Sequence, residues 1–389
     1  MSENSDSGTF LLADYIQKIA ATDGMKSDIR PVLFGLFGEV GGIMATAKKH
    51  HREGNAYYGY QLAVEEEFGD TLWYLAAVCR RVEINLEEIF AEVISGTGYT
   101  SVIAASDLTT GSISRIISPK VVRAIDDALL SLGQAAANLL VIGEEANDPK
   151  PLLVDFVDHY LKALEVAQLS FAQIARSNLK KTVGRFVAPN SAHLPMFDSG
   201  FLEEEQLPEK FEIEIRERAT GRSYLRWNNV FIGDPLTDNI GDPDGYRFHD
   251  VFHFAHAAIL HWSPVMRALI KQKRKSVPDF DEAQDSGRAI VVEEGLTAWI
   301  FSRAKDLEFF EGQDRVSFDM LKTVEGFVRG YEVQECPLSL WERAILDGYA
   351  VFRKVRKNGG GVVVGDRANR TIEYKPLAKG DADEPSGIH

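Results

Sequence analysis

From Leu11 onward the apolar positions recur mostly at helical spacing. Leu11, Tyr15 and Ile19 mark a first helix. Val32, Leu33, Leu36, Phe37, Val40 and Ile43 mark a second, over residues 31 to about 50, with Pro31 suited to a helix start. That stripe is wide, which predicts burial around much of the helix. Residues 51–59 read as a loop, 60 to about 82 as a third helix, and 86–94 as a short fourth with Asn85 as its cap. Residues 96–114 look loop-like, and two longer helices are expected over roughly 119–142 and 151–179.

Residues 187–200 mix Pro, Asn, Ser and Gly and mark a domain boundary. Beyond it the texture changes. Phe211 to Arg218 alternate apolar and polar, the period of a strand, and 224–233 read as a second. Helices are expected again at about 246–272, 287–304, 318–330 and 337–356, and a late strand pair in GGVVVG and RTIEYKP. The loop GDPLTDNIGDPDGY lacks the ligand spacing of an EF-hand and reads as turns. The expected fold is mainly α: a helical bundle over 1–190 and a mostly helical domain with a small β-sheet over 200–380. Residues 381–389 read as a flexible tail.

Composition narrows the class. Of 389 residues 45% are hydrophobic and 26% charged, a balance that can build a core in water. No run nears the roughly 18 consecutive apolar residues of a membrane span, so no membrane partner is expected. The polar, acidic start MSENSDSGTF reads as neither a signal nor a transit peptide. Cys79 and Cys336 stand far apart, which leaves no disulfide framework or Cys-based zinc site and points to a reducing cytoplasm. A net charge of −15 argues against duplex nucleic acid as a partner, but not against a small phosphorylated ligand held by local cations.

Acids then appear where apolar helices should not want them. GLFGEVGG carries Glu39, and EEEFGDTLWYL carries Glu65, Glu66, Glu67 and Asp70. Glu67 and Asp70, three apart, share a helix face beside Phe68, Leu72, Trp73 and Leu75. Like charges in a partly dry site repel and lose hydration. Mg²⁺ relieves both costs: it takes carboxylate oxygens and shares its shell with substrate phosphates. A short loop makes the two helices antiparallel neighbours, so Glu39 can face the pair. The plainer alternative is a solvated charge run at a helix start.

Together, GLFGEVGG and EEFGDTLWYLA resemble the all-α nucleoside-triphosphate pyrophosphohydrolases of the MazG-like family. The resemblance implies an ExxE and an ExxD pair that bind Mg²⁺, with Mn²⁺ as a substitute, and attack by water to release pyrophosphate and a nucleoside monophosphate. By position it assigns Glu39, Glu67 and Asp70 to metal and Glu66 to a ligand or base, with Glu66 and Glu67 as the catalytic acids. ARSNLKKTVGRF resembles the family's late basic segment, which assigns Asn178, Lys181 and Arg185 to phosphate. The resemblance covers roughly residues 11–186, with about 96–150 as an insertion, and implies a homo-oligomer. One departure stands out: the family's fourth acid falls on Gly42. Lys48 and Lys49 either complement the helix dipole or meet phosphate, and Trp73 either packs in the core or stacks on a base.

In the second domain His249, His253 and His256 fall at i, i+4 and i+7, one face of one helix, with Glu293 and Glu294 in a later apolar run. Such imidazoles could ligate a transition metal or form a hydrogen-bonded polar seam. This region resembles the C-terminal domain appended to some MazG-like proteins. The leading expectation is an Mg²⁺-dependent nucleotide pyrophosphohydrolase. The rival is a nucleotide sensor whose degenerate site binds without turnover and signals through the second domain.

Overall fold

The structure is a computed structural model and describes residues 11–25, 27–96, 100–103, 113–117, 124–142, 148–190, 194–238 and 240–377. The expected tail at 381–389 and the first ten residues lie outside these. The chain divides into two compact units, Met1–Val187 and Ala188–His389.

The first unit is a bundle of α1 (Leu12–Ala20), α2 (Arg30–Glu53), α3 (Tyr60–Arg81), α4 (Leu86–Gly96), α5 (Ile125–Leu139), α6 (Lys150–Val166) and α7 (Phe171–Phe186). A 3₁₀ turn (Gly54–Ala56) separates α2 from α3, and the two helices pack on each other along their length. From α2, Val32, Leu33, Leu36, Val40 and Ile43 enter the core and meet Val64, Phe68, Leu72 and Leu75 of α3. The stripe of α2 is narrower than its sequence implies: Phe37 is 44% exposed and Phe34 70%. α7 packs against both α1 and α3.

Two expectations for this unit are corrected. Residues 96–114 are not all loop, because β1 (Thr100–Ile103) pairs antiparallel with β2 (Ile113–Ile117). Residues 151–179 are not one helix. α6 ends at Val166, Gln168 turns left-handed (φ 57°), and Ser170 starts α7 by accepting the Gln173 N–H on its hydroxyl. Apolar spacing runs through that break without a Gly or Pro to mark it.

The second unit builds one antiparallel sheet in the order β5-β4-β3-β6-β7, from β3 (Lys210–Glu217), β4 (Ser223–Trp227), β5 (Val230–Leu236), β6 (Gly360–Asp366) and β7 (Thr371–Lys375). Residues 224–233 form a hairpin rather than one strand. Asn228 and Asn229 both take left-handed backbone (φ 47° and 64°), the requirement of a two-residue turn. The central ladder joins distant segments, from Lys210 opposite Asp366 to Arg216 opposite Gly360. A Cβ on Gly360 would stand 2.4 Å from the Ile215 carbonyl oxygen, so only glycine permits this approach.

Around the sheet lie α8 (Asp250–Ala255), α9 (Pro264–Ile270), the single turn α10 (Pro278–Phe280), α11 (Gly287–Ala304), α12 (Phe318–Phe327) and α13 (Leu338–Asn358). α13 packs on α8, β6 and β7, and closes an aromatic core of Phe252, Phe301, Phe309, Tyr349 and Phe352. Residues 246–272, expected as one helix, are broken. A 3₁₀ turn (Tyr246–Phe248) leads into α8, a π-helical turn follows (His256–Leu260), and His261 turns left-handed (φ 60°). Ser263 then caps α9 through the Met266 N–H. The wide turn begins at a histidine, which re-aims the side chains of that face.

Candidate functional site

In the first unit α2, α3 and α7 bring the predicted acids to one place. Glu39, Gly35 and Gly42 stand at i, i−4 and i+3, on one face of α2. A Cβ on Gly35 would fall 2.0 Å from the Tyr74 ring, and one on Gly42 would fall 2.1 Å from Glu67 Oε2. Gly38 and Gly41 face open space. The two buried-face glycines of GLFGEVGG therefore leave room for Tyr74 and for the Glu67 carboxylate, which fills the space beside Gly42.

Glu39 and Glu67 share a hydrogen bond, and Glu39 is pushed up to about 8 by burial, then by the charges of Asp70 and Glu67. Near pH 7 Glu39 therefore holds a proton. Asp70 is gripped from α7. Asn178 Nδ2 donates to Asp70 Oδ1 at 2.9 Å, and Lys181 Nζ donates to Asp70 Oδ2 at 2.5 Å and to Glu66 Oε1 at 2.6 Å. Burial pulls Lys181 down, but Asp70 and Glu66 outweigh it and raise its value. α7 can come this close because Gly69 has no side chain: a Cβ there would touch Asn178 Cβ at 3.0 Å.

Behind the acids stand residues that sequence reasoning missed. Tyr15, wholly buried, donates to Asn178 Oδ1 at 2.9 Å and so sets which end of that amide faces Asp70. Tyr74, on α3, lies near Glu39 and Asp70, and burial followed by those charges raises its phenol. Glycine at 35, one turn before Glu39, was the only trace of Tyr74 in the sequence.

Other predicted residues stand apart. Trp73 is 8% exposed and donates its indole N–H to Thr22 Oγ1 at 2.8 Å. Lys48 and Lys49 are exposed. They follow Glu39 by nine and ten residues, about 13–15 Å along the helix. Arg185 is buried one turn beyond Lys181, with its guanidinium 5.6 Å from the Phe186 ring centre.

In the second unit the histidine face and α11 meet. Glu293 is wholly buried and fully engaged. Its Oε1 accepts from His256 Nδ1 at 2.9 Å, and its Oε2 accepts from Ser263 Oγ at 3.0 Å and the Val265 N–H at 2.9 Å. His253, 0% exposed, places Nδ1 3.1 Å from Glu293 Oε1 and Nε2 3.4 Å from Glu294 Oε2. Neither ring nitrogen of His253 meets a neighbour in hydrogen-bond alignment. His249 donates Nδ1–H to the Tyr246 carbonyl at 2.9 Å, stacks on the Tyr246 ring, and sets Nε2 3.5 Å from Glu294 Oε2. Burial would discharge His253, but Glu293 and Glu294 overcome it and raise its value to about 10. Burial lowers His256 and raises Asp250. Ligand atoms of His249, Asp250 and His253 lie within 4.8 Å of one another, as do those of His253, His256 and Glu293. His261 leaves the group and bonds the Arg367 carbonyl at 2.8 Å.

The chain thus pairs a helical bundle carrying a carboxylate–lysine cluster with a helix-wrapped sheet carrying a histidine–carboxylate seam. Residues 192–378 match the family model of the MazG C-terminal domain, which supports a MazG-like protein. No curated protein and no solved structure matches the chain. Among the described residues no helix is long and apolar enough to cross a membrane.

Proposed function

We propose that the α2–α3–α7 cluster hydrolyses a nucleoside triphosphate to the monophosphate and pyrophosphate, with Mg²⁺ or Mn²⁺ held by Glu39, Glu67 and Asp70. The observation that carries this reading is the convergence of three carboxylates from two helices, where burial and then the charges of Asp70 and Glu67 push Glu39 up to about 8. Clustered carboxylate oxygens are hard donors that fit a hard divalent cation. When bound, that cation would supply charge neutralisation for the phosphates and an acidified water.

The chain's own residues have separable parts in this reading. Asn178 and Lys181 orient Asp70, and Lys181 also holds Glu66. Arg185, buried one turn further along α7, is the remaining phosphate residue of this reading. Glu66 is the ligand or base next to the pair. In this reading Trp73 is a packing residue, supported by its buried ring and its N–H bond to Thr22. Lys48 and Lys49 are too far along α2 to enter the acid cluster and can serve only an extended ligand. The homo-oligomer belongs to the same proposal, supported by Phe34 and Phe37 on the outer face of α2. So does a cytoplasmic location, supported by two buried free thiols, Cys79 and Cys336.

A second reading has its own observation. Lys181 already neutralises Asp70 and Glu66, which suits a site that binds nucleotide without turning it over. The test is pyrophosphate release by the full chain from a panel of ribo- and deoxyribonucleoside triphosphates with Mg²⁺ or Mn²⁺. Turnover that Asp70→Asn abolishes supports the hydrolase; tight binding without turnover replaces it with the sensor.

A further inference from the structure

We propose that His249, Asp250, His253 and Glu294 form a second metal site, for a first-row divalent transition metal in zinc-like four-coordinate geometry, with Glu293 as the carboxylate behind His253. This site is independent of the carboxylate cluster in the first unit.

Distance is the first argument. Glu294 Oε2 stands 3.5 Å from His249 Nε2 and 3.4 Å from His253 Nε2. A charged hydrogen bond would close to about 2.7–2.9 Å. In a tetrahedral site with bonds of about 2.0–2.1 Å, neighbouring ligand atoms are about 3.3–3.4 Å apart. The observed spacings are close to those of a ligand–ligand edge and longer than an aligned charged hydrogen bond, although both stay within ion-pair range.

Orientation is the second. A ligating histidine donates its other ring N–H to a carbonyl or carboxylate, which fixes the nitrogen that faces the metal. His249 Nδ1 donates to the Tyr246 carbonyl, and His253 Nδ1 lies 3.1 Å from Glu293. Both rings thereby turn Nε2 toward the same Glu294 oxygen. Asp250, 5% exposed, supplies a further donor within 4.8 Å of both rings.

Burial is the third. His253 is 0% exposed, and its nitrogens face Glu293 at 3.1 Å and Glu294 at 3.4 Å without an aligned hydrogen bond, so the Nε2 side is held by charge and not by a directed bond. An ion at Nε2 would supply that directed bond.

The alternative trio of His253, His256 and Glu293 is the weaker cage. Both Glu293 oxygens are already bound by His256, Ser263 and the Val265 N–H, so this carboxylate serves as a fixed anchor. The Glu294 side also has a way in: its side chain is 40% exposed, whereas that of Glu293 is 0%. Two imidazoles with two carboxylates suit zinc, manganese or iron rather than Mg²⁺, which wants six oxygens.

The experiment strips the full chain with a chelator, reloads it with Zn²⁺, removes excess by gel filtration and measures bound metal. A parallel Co²⁺ loading reads the visible bands of tetrahedral cobalt. The expected result is one zinc per chain and a tetrahedral cobalt spectrum. His249→Ala and Glu294→Gln, near the open side, should each weaken zinc binding by at least about 10–100-fold while the chain stays folded by circular dichroism. Asp70→Asn should keep the zinc. The proposal fails if the folded wild type retains under about a tenth of an equivalent. It fails equally if His249→Ala and Glu294→Gln bind zinc as the wild type does, or if Asp70→Asn loses it. None of these readouts depends on nucleotide hydrolysis.

Discussion

Gly42→Ala tests how the first site is built. The new Cβ would stand 2.1 Å from Glu67 Oε2 and 2.7 Å from the carboxyl carbon. Ordinary contact begins above about 3.3 Å, so the carboxylate must move by more than 1 Å. With Glu67 in its proposed catalytic role, a displacement of that size costs on the order of 100-fold in turnover. Stability should respond in the other direction or hardly at all. Replacing a mid-helix glycine by alanine contributes about 0.5–1 kcal/mol. Loss of the Glu39–Glu67 hydrogen bond removes about 1 kcal/mol, leaving a net change within about 1 kcal/mol. The assay pairs pyrophosphate release with a thermal melt. The expected outcome is a folded protein with unchanged melting and turnover reduced about 100-fold. Full activity in Gly42→Ala would refute the claim that Glu67 works from the space beside Gly42. The same geometry predicts no gain from Gly42→Glu: a longer side chain there displaces Glu67 instead of completing a set of four acids.

Burial and the charges of Asp70 and Glu67 push Glu39 up to about 8, so the proposed cation displaces its proton below that pH. Mg²⁺ affinity should fall about tenfold per pH unit below 8 and level off above it; calorimetry that finds a flat profile would contradict this. The sign for stability is separate. With its folded value above the ordinary 4.5, Glu39 stabilises the metal-free chain at low pH, and that contribution is lost as pH rises through about 8. Asn178→Ala removes the Oδ1 acceptor of the Tyr15 hydroxyl and the Nδ2 donor to Asp70, should cost about 1 kcal/mol in denaturant unfolding, and should lower turnover by loosening Asp70. In the second unit Arg274 and Asp285 are both 0% exposed and paired at 2.6 Å. Asp285→Ala leaves part of that guanidinium uncompensated and should destabilise by about 3–5 kcal/mol, read as a lower unfolding midpoint. Trp73→Phe should leave nucleotide affinity unchanged, since the ring is buried and its N–H is bonded to Thr22; a tenfold loss of affinity would put Trp73 back in the site.

How much of this was legible depended on the range of the interaction. Helices α2, α3 and α13 could be read closely, because their apolar spacing is local and Pro31 marks a start. The acids Glu39, Glu67 and Asp70 were legible as anomalies in that same spacing. The break at Gln168 carries no Gly or Pro and was not legible; the break after His261 was missed although Ser263 and Pro264 mark the start of the next helix.

The tertiary structure alone decided what the anomalies touch. It put β6 beside β3 across more than a hundred residues, a pairing that no local signal encodes. It set Lys181 and Asn178 on Asp70 through the gap at Gly69, and it turned Trp73 inward. It also changed the meaning of Gly42. Along the chain this glycine is a missing acid; in space it is the room in which Glu67 sits. A sequence records which side chain a position lacks, but only the packed helices show which neighbour takes up the volume.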